Sequence, residues 1–121
     1  DVNRYKWNLQ NILKKLRNKE SKQNNFYQNI THLFNIRRKQ KAFHPNAARY
    51  NLNFDSKIFA FKRVSLDKKQ SIICITNLSS KIQNIKLNKT YLRWKNLIKL
   101  QSKLNKQLIL GPFETIWLSN K

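Results

Sequence analysis

The sequence predicts an antiparallel β-sandwich preceded by an N-terminal arm of two α-helices, so the chain is mainly β in its folded module and α+β as a whole. The first third places its apolar residues at helical spacing. From Ala47 onward the period becomes two, in short runs separated by polar turns. With 40% hydrophobic and 12% aromatic residues in 121, the chain has enough apolar surface for one compact domain plus an appendage.

In Trp7 to Lys19, Leu9, Ile12, Leu13 and Leu16 make one apolar stripe. Asn18 to Asn25 is a polar break, in which Ser21 or Asn24 is suited to cap the next helix. That helix is expected from Lys22 to Lys41, with Phe26, Ile30, Leu33, Phe34 and Arg37 on one face. Its last turns hold Arg37, Arg38, Lys39 and Lys41, where positive charge complements the helix dipole. His44-Pro45-Asn46 then stops it. The expected division is therefore a helical segment over 1–46 and a β module over 47–121.

Arg49 to Phe54 alternates, with Tyr50, Leu52 and Phe54 on one face. After a turn at Asp55-Ser56-Lys57, Ile58 to Leu66 is expected to point Phe59, Phe61 and Val64 inward. Asp67 to Gln70 turns again, and the apolar run Ser71 to Asn77 suits a central strand. Shorter strands are expected at Ile82 to Leu87, Leu92 to Lys99, Gln107 to Leu110 and Phe113 to Leu118. Gly111, the only glycine, marks a sharp turn with Pro112.

The net charge is +21, from 26 basic and five acidic residues. A basic nucleic-acid-binding β module is the alternative this suggests, with Arg93-Trp94-Lys95 as interleaved cation and aromatic. Against it, 19 of the 26 are lysine, the chain also holds 17 asparagines, and the basic residues run along its whole length. Lysine and asparagine rise together in AT-rich coding DNA whatever the protein does.

The inventory of reactive groups is short. Asp1, Glu20, Asp55, Asp67 and Glu114 are spread out, and none forms the carboxylate pair that glycoside hydrolysis requires. His32, His44 and Cys74 have no metal-ligand spacing. His44 reads as a turn residue bonding its neighbours, and Cys74 as a core thiol on a strand, which fits a reducing, cytoplasmic setting. No phosphate-cradling loop is available to a chain with a single glycine. The expectation is no catalytic residue, no metal and no cofactor. No apolar run approaches the roughly 20 residues of a membrane helix. No methionine opens the chain, so a piece of a longer protein is expected.

One stretch is more specific. Leu33-Phe34-Asn35-Ile36-Arg37-Arg38 and Ala42-Phe43-His44-Pro45-Asn46-Ala47 resemble the junction in sucrose phosphorylases and related alpha-amylase-family enzymes, where a helix closes the catalytic (β/α)8 barrel and a β-sandwich follows. Ile58-Phe59-Ala60-Phe61-Lys62-Arg63, Asn77-Leu78-Ser79, Trp94-Lys95-Asn96-Leu97-Ile98 and Leu110 to Leu118 are similar to later segments of that family, in the same order, with Phe113 in place of its usual tyrosine. The resemblance implies a noncatalytic C-terminal β domain of an alpha-glucosyl-transferring parent, a phosphorylase or glycosidase, whose catalytic carboxylates lie upstream. It implies that the missing barrel is the partner. Self-association through exposed helices is a further expectation, nucleic acid is the alternative partner, and no membrane is expected. Arg37, Arg38, Phe43, His44, Pro45 and Trp117 are the structural junction it points to. Binding of maltooligosaccharides on Trp94 or Tyr91 is a third expectation.

Overall fold

The computed structural model describes residues 6–99 and 107–121. Asp1, one of the five acids, lies outside them. The chain divides into two compact units, 1–35 and 36–121.

In the first unit, α1 spans Leu9–Arg17 and most of α2, which spans Lys22–Arg37, follows. Asn8 caps α1 through its side chain, which accepts from the Asn11 amide at 3.1 Å. Ser21 caps α2: its Oγ accepts from the Asn24 amide at 3.0 Å. The Asn24 side chain reaches back to the Leu16 carbonyl, and Ser21 Oγ to that of Lys15, so the connection between the helices satisfies the end of α1. Neither helix buries a residue. Leu9, Phe26 and Phe34 are each more than 60% exposed while Ile12, Leu16, Ile30 and Leu33 are half-buried, so the apolar stripe is present and in large part exposed. Among the described residues, no helix is long and apolar enough to cross a membrane.

The helix ends at Arg37 rather than at Lys41. Lys39 and Gln40 amides bond back only three residues, to Ile36 and Arg37, and Gln40 is extended. The Gln40 side chain donates to the Ile36 carbonyl at 3.2 Å. A one-turn 3-10 helix at Lys41–Phe43 then carries Ala42 and Phe43 into a buried position. Continuing the α-helix would forfeit that burial, so packing in the second unit ends α2 before the proline does.

Among the described residues the second unit has seven strands: β1 Ala48–Leu52, β2 Ile58–Val64, β3 Ser71–Asn77, β4 Gln83–Ile85, β5 Lys95–Asn96, β6 Leu108–Leu110 and β7 Thr115–Ser119. They form a five-stranded sheet ordered β1-β2-β3-β7-β5 and a two-stranded sheet of β4 and β6, all pairs antiparallel. Ile58, Ala60, Ile73, Ile75, Ile116 and Leu118 of the large sheet pack on Ile85, Leu87, Leu108 and Leu110 around the small one. This is the expected sandwich. Leu52 and Phe54 pack at its margin while Tyr50 is exposed.

The large sheet also covers part of its other face, where Ala42, Phe43, Ile72 and Cys74 form a second cluster with Phe61, Leu97 and Trp117. The two-sided covering reverses the expected phase of β2. Ile58 and Ala60 point into the sandwich; Phe61 lies on the opposite face and Phe59 is 45% exposed. The expected strand at Leu92 to Lys99 is likewise reduced to Lys95–Asn96, because Asn88 nucleates a 3-10 turn at Tyr91–Arg93 by accepting the Thr90 and Tyr91 amides at 3.0 and 2.9 Å.

Candidate functional site

The junction residues meet on the outer face of the large sheet. Ile116 and Leu118 of β7 face the sandwich, so alternation sends Trp117 to the other side, opposite Cys74 in the ladder. There it meets Phe43 edge-on, with ring centroids 4.9 Å apart and planes at 64°. The Arg37 guanidinium stands 5.2 Å from the Phe43 ring centroid. Arg38 is exposed, as are His44 and Pro45. His44 turns the chain as expected: its Nδ1 accepts from the Asn46 amide at 3.2 Å.

Two residues outside the predicted set hold this segment. Arg63 on β2 donates from Nε to the Ala42 carbonyl at 3.2 Å and from its terminal nitrogen to that of His44. Buried Gln70 accepts from the Ala42 amide at 3.0 Å and donates to Gln40 Oε1 at 2.7 Å and Ser119 Oγ at 3.4 Å. Residues 40–44 are thus clasped by β2 and by the turn before β3. The sequence signal for Gln70 is thin: a polar residue abutting the most apolar strand.

A second buried polar knot lies at the opposite end of β3. Asn77 is fully buried, donates to the Lys81 and Gly111 carbonyls at 2.7 and 2.8 Å, and accepts from the Ser79 amide and hydroxyl at 2.9 and 2.8 Å. The Asn77-Leu78-Ser79 motif therefore ties the turn after β3 to the turn before β7.

The reactive groups stay apart. The Cys74 thiol is pushed up to about 12 by burial, partly opposed by Arg63 and Arg37, and the free cysteine is buried. Asp67 is held well below the usual carboxylate range, first by the Ser65 hydroxyl and then by the Lys69 amide and Lys41. The Lys57 amide lowers Asp55. Glu114 is lowered chiefly by Lys99 and also accepts the Gly111 amide at 2.8 Å. Among the described residues no group of three or more His, Cys, Asp or Glu is placed to hold a metal ion. Trp94 is half-buried and stacks edge-on with Tyr91 at 4.9 Å.

Comparison with known proteins agrees with the motif reading. No protein-family model matches the chain. Over 78 residues, 64% of its length, it is 30% identical to a glucosylglycerate phosphorylase of Spirochaeta thermophila, of which it covers 13%. Its fold is similar to that of a MutB variant solved with the substrate sucrose, at a TM-score of 0.66 and 15% identity over 88% of this chain. It is similar to that of an isomaltulose synthase variant from Erwinia rhapontici NX5 solved with D-glucose, at 0.65 and 18% over the same share. The chain spans 19% of each of those solved chains. In its motifs, its match to a curated phosphorylase and its fold, the chain resembles sucrose phosphorylase-like enzymes of the alpha-amylase family.

Proposed function

We propose that this chain is the noncatalytic C-terminal β domain, with the last helical segment before it, of an alpha-glucosyl-transferring enzyme related to sucrose phosphorylase. Its role is to steady the catalytic barrel of the same parent. The observation that carries this reading is the clasp. The residues of the family-like junction, Ala42 to His44, are the ones that Arg63, Gln70 and Trp117 fasten to the sandwich. A segment held this way transmits the rigidity of the sandwich to whatever precedes it in the parent. Exposed Leu9, Phe26 and Phe34 supply an apolar surface for the barrel, and self-association is the alternative when no barrel is present. The barrel carries the chemistry in this reading, and the setting is cytoplasmic.

The test is a chimera in which this chain replaces the matching segment of the Spirochaeta thermophila glucosylglycerate phosphorylase. The expected result is retained phosphorolysis, with a Tm lowered by several degrees when Phe43→Ala opens the clasp. The isolated chain should show no turnover on sucrose and phosphate. Turnover by the isolated chain, or a chimera indifferent to Phe43→Ala, would overturn the proposal.

A further inference from the structure

The charged groups of the β unit are unevenly placed. Asp55 and Glu114, together with Lys57, Lys81 and Glu114's partner Lys99, sit at the end of the large sheet where β2 and β7 begin. At the other end, where β3 and β5 begin and β7 finishes, two open concavities adjoin Asn120–Lys121. One, of about 280 Å³, is lined by Lys39, Lys41, Lys69 and Lys121 with Asp67 and Gln70. The other, of about 450 Å³, is lined by Lys89, Arg93 and Trp94 with Thr90 and Asn120. Asn120 is fixed between them: its Oδ1 accepts from the Ser71 amide at 2.8 Å, and its own amide donates to the Ser71 carbonyl at 3.2 Å.

Among the described residues, Asp67 is the single carboxylate side chain lining this surface. It is already engaged by Ser65 Oγ at 2.6 Å and the Lys69 amide at 3.1 Å, and it pairs with Lys41 Nζ at 3.3 Å. Lys39, Lys69, Lys121, Lys89 and Arg93 remain as exposed cations along the end of the sheet. Lysines on fixed turns at both sides of a groove suit a chain of phosphates, and an aromatic ring among them suits an unstacked base.

We infer that these two concavities form one basic trench across the ends of β3, β7 and β5 that binds the phosphate backbone of single-stranded nucleic acid. This does not rest on the proposed role beside a barrel. Overall charge alone would attract polyanions to the whole surface, so the inference is that attraction is localised in the trench.

The experiment uses the 121-residue chain and a fluorescein-labelled single-stranded oligonucleotide of about twelve nucleotides, read by anisotropy. Five contacts predict a log–log salt slope of about −3.5, or roughly a 100-fold loss of affinity for a fourfold rise in salt. The combined Lys39→Gln, Lys69→Gln, Lys89→Gln and Arg93→Gln variant should flatten the slope by about 3 and weaken low-salt binding by more than about 30-fold. A charge-matched control, Lys14→Gln, Arg17→Gln, Lys19→Gln and Lys22→Gln on the two helices and their connection, should stay within about threefold of the parent chain. Circular dichroism checks that both variants fold. An equal loss in the two variants, or no loss in the trench variant, overturns the inference. Competition by inorganic polyphosphate as strong, phosphate for phosphate, as by the oligonucleotide would also overturn it, because Trp94 would then add nothing.

Discussion

The helical unit and the β unit use the same kinds of residue to different ends. In the helices, Phe26, Phe34 and Leu9 are exposed, and no side chain is buried. In the β unit, Ile72, Ile73, Ile75, Leu110 and Leu118 are fully buried, and so are Asn77 and Ser119. No buried side-chain polar atom among the described residues lacks a hydrogen bond. An apolar residue stabilises a fold only where something removes it from water. The β unit is therefore built to stand on its own core, whereas the helices hold apolar surface in reserve.

The largest expected effect follows from that contrast. Ile75→Ala deletes a fully buried side chain between two sheets and should cost about 4 kcal/mol in urea unfolding. Phe26→Ala removes a bigger side chain that is 68% exposed and should cost about 0.5 kcal/mol or less. Comparable losses at the two positions would break the distinction between the units.

A smaller effect reverses sign between the regions. Phe113 has φ 54° and Lys68 φ 55°, the left-handed region that favours glycine, while Gly111 itself has no positive φ. Phe113 follows Pro112 in a turn closed by the Glu114 amide on the Gly111 carbonyl, at 3.2 Å. Phe113 is 67% exposed, so Phe113→Gly sacrifices little packing and should stabilise by about 1 kcal/mol. In α2, Gln28→Gly should destabilise by about 0.5 kcal/mol. Tm shifts of opposite sign check both; shifts of one sign would mean the turn is not strained as its dihedral implies.

These positions also show what was legible in the sequence. The strands of the β unit apart from the one expected at Leu92 to Lys99, the cap at Ser21, one of two candidates, and the turn at His44 follow from local patterns and appear where expected. The phase of β2 was not legible. Ile58-Phe59-Ala60-Phe61 is apolar at both parities, and periodicity reveals that faces alternate without revealing which is better covered. The end of α2 was hidden because its cause, Gln70 bonded to Ala42 and Gln40, lies about thirty residues away in sequence. For the same reason Arg37, Phe43, Trp117 and the segment ending in Arg63 could be read as motifs, while the bonds from the Arg63 and Gln70 side chains to the backbone of residues 42–44 could not. The turn at Gly111-Pro112 was visible, but its left-handed residue is Phe113.

The smallest effect concerns acid, and it bears on the β unit. Asp55, Asp67 and Glu114, the carboxylates with lowered pKa, all belong to the β unit. A carboxylate lowered by folding contributes stability that is fully present above its unfolded pKa, near 4. That contribution is lost as pH falls through the folded value, because the unfolded chain then binds more protons than the native one. The β unit should therefore weaken progressively below about pH 4, with a plateau above it. Glu114→Gln removes the Lys99 pairing and weakens the bond to the Gly111 amide, so it should lower the plateau slightly and flatten the acid limb. Asp67→Asn should flatten the limb further, since the bonds from Ser65 and Lys69 no longer meet a charge. Unfolding followed by fluorescence from Trp117 in a Trp7→Phe, Trp94→Phe background reads the β unit alone. A limb unchanged by both substitutions would mean that acid acts elsewhere than on these turns.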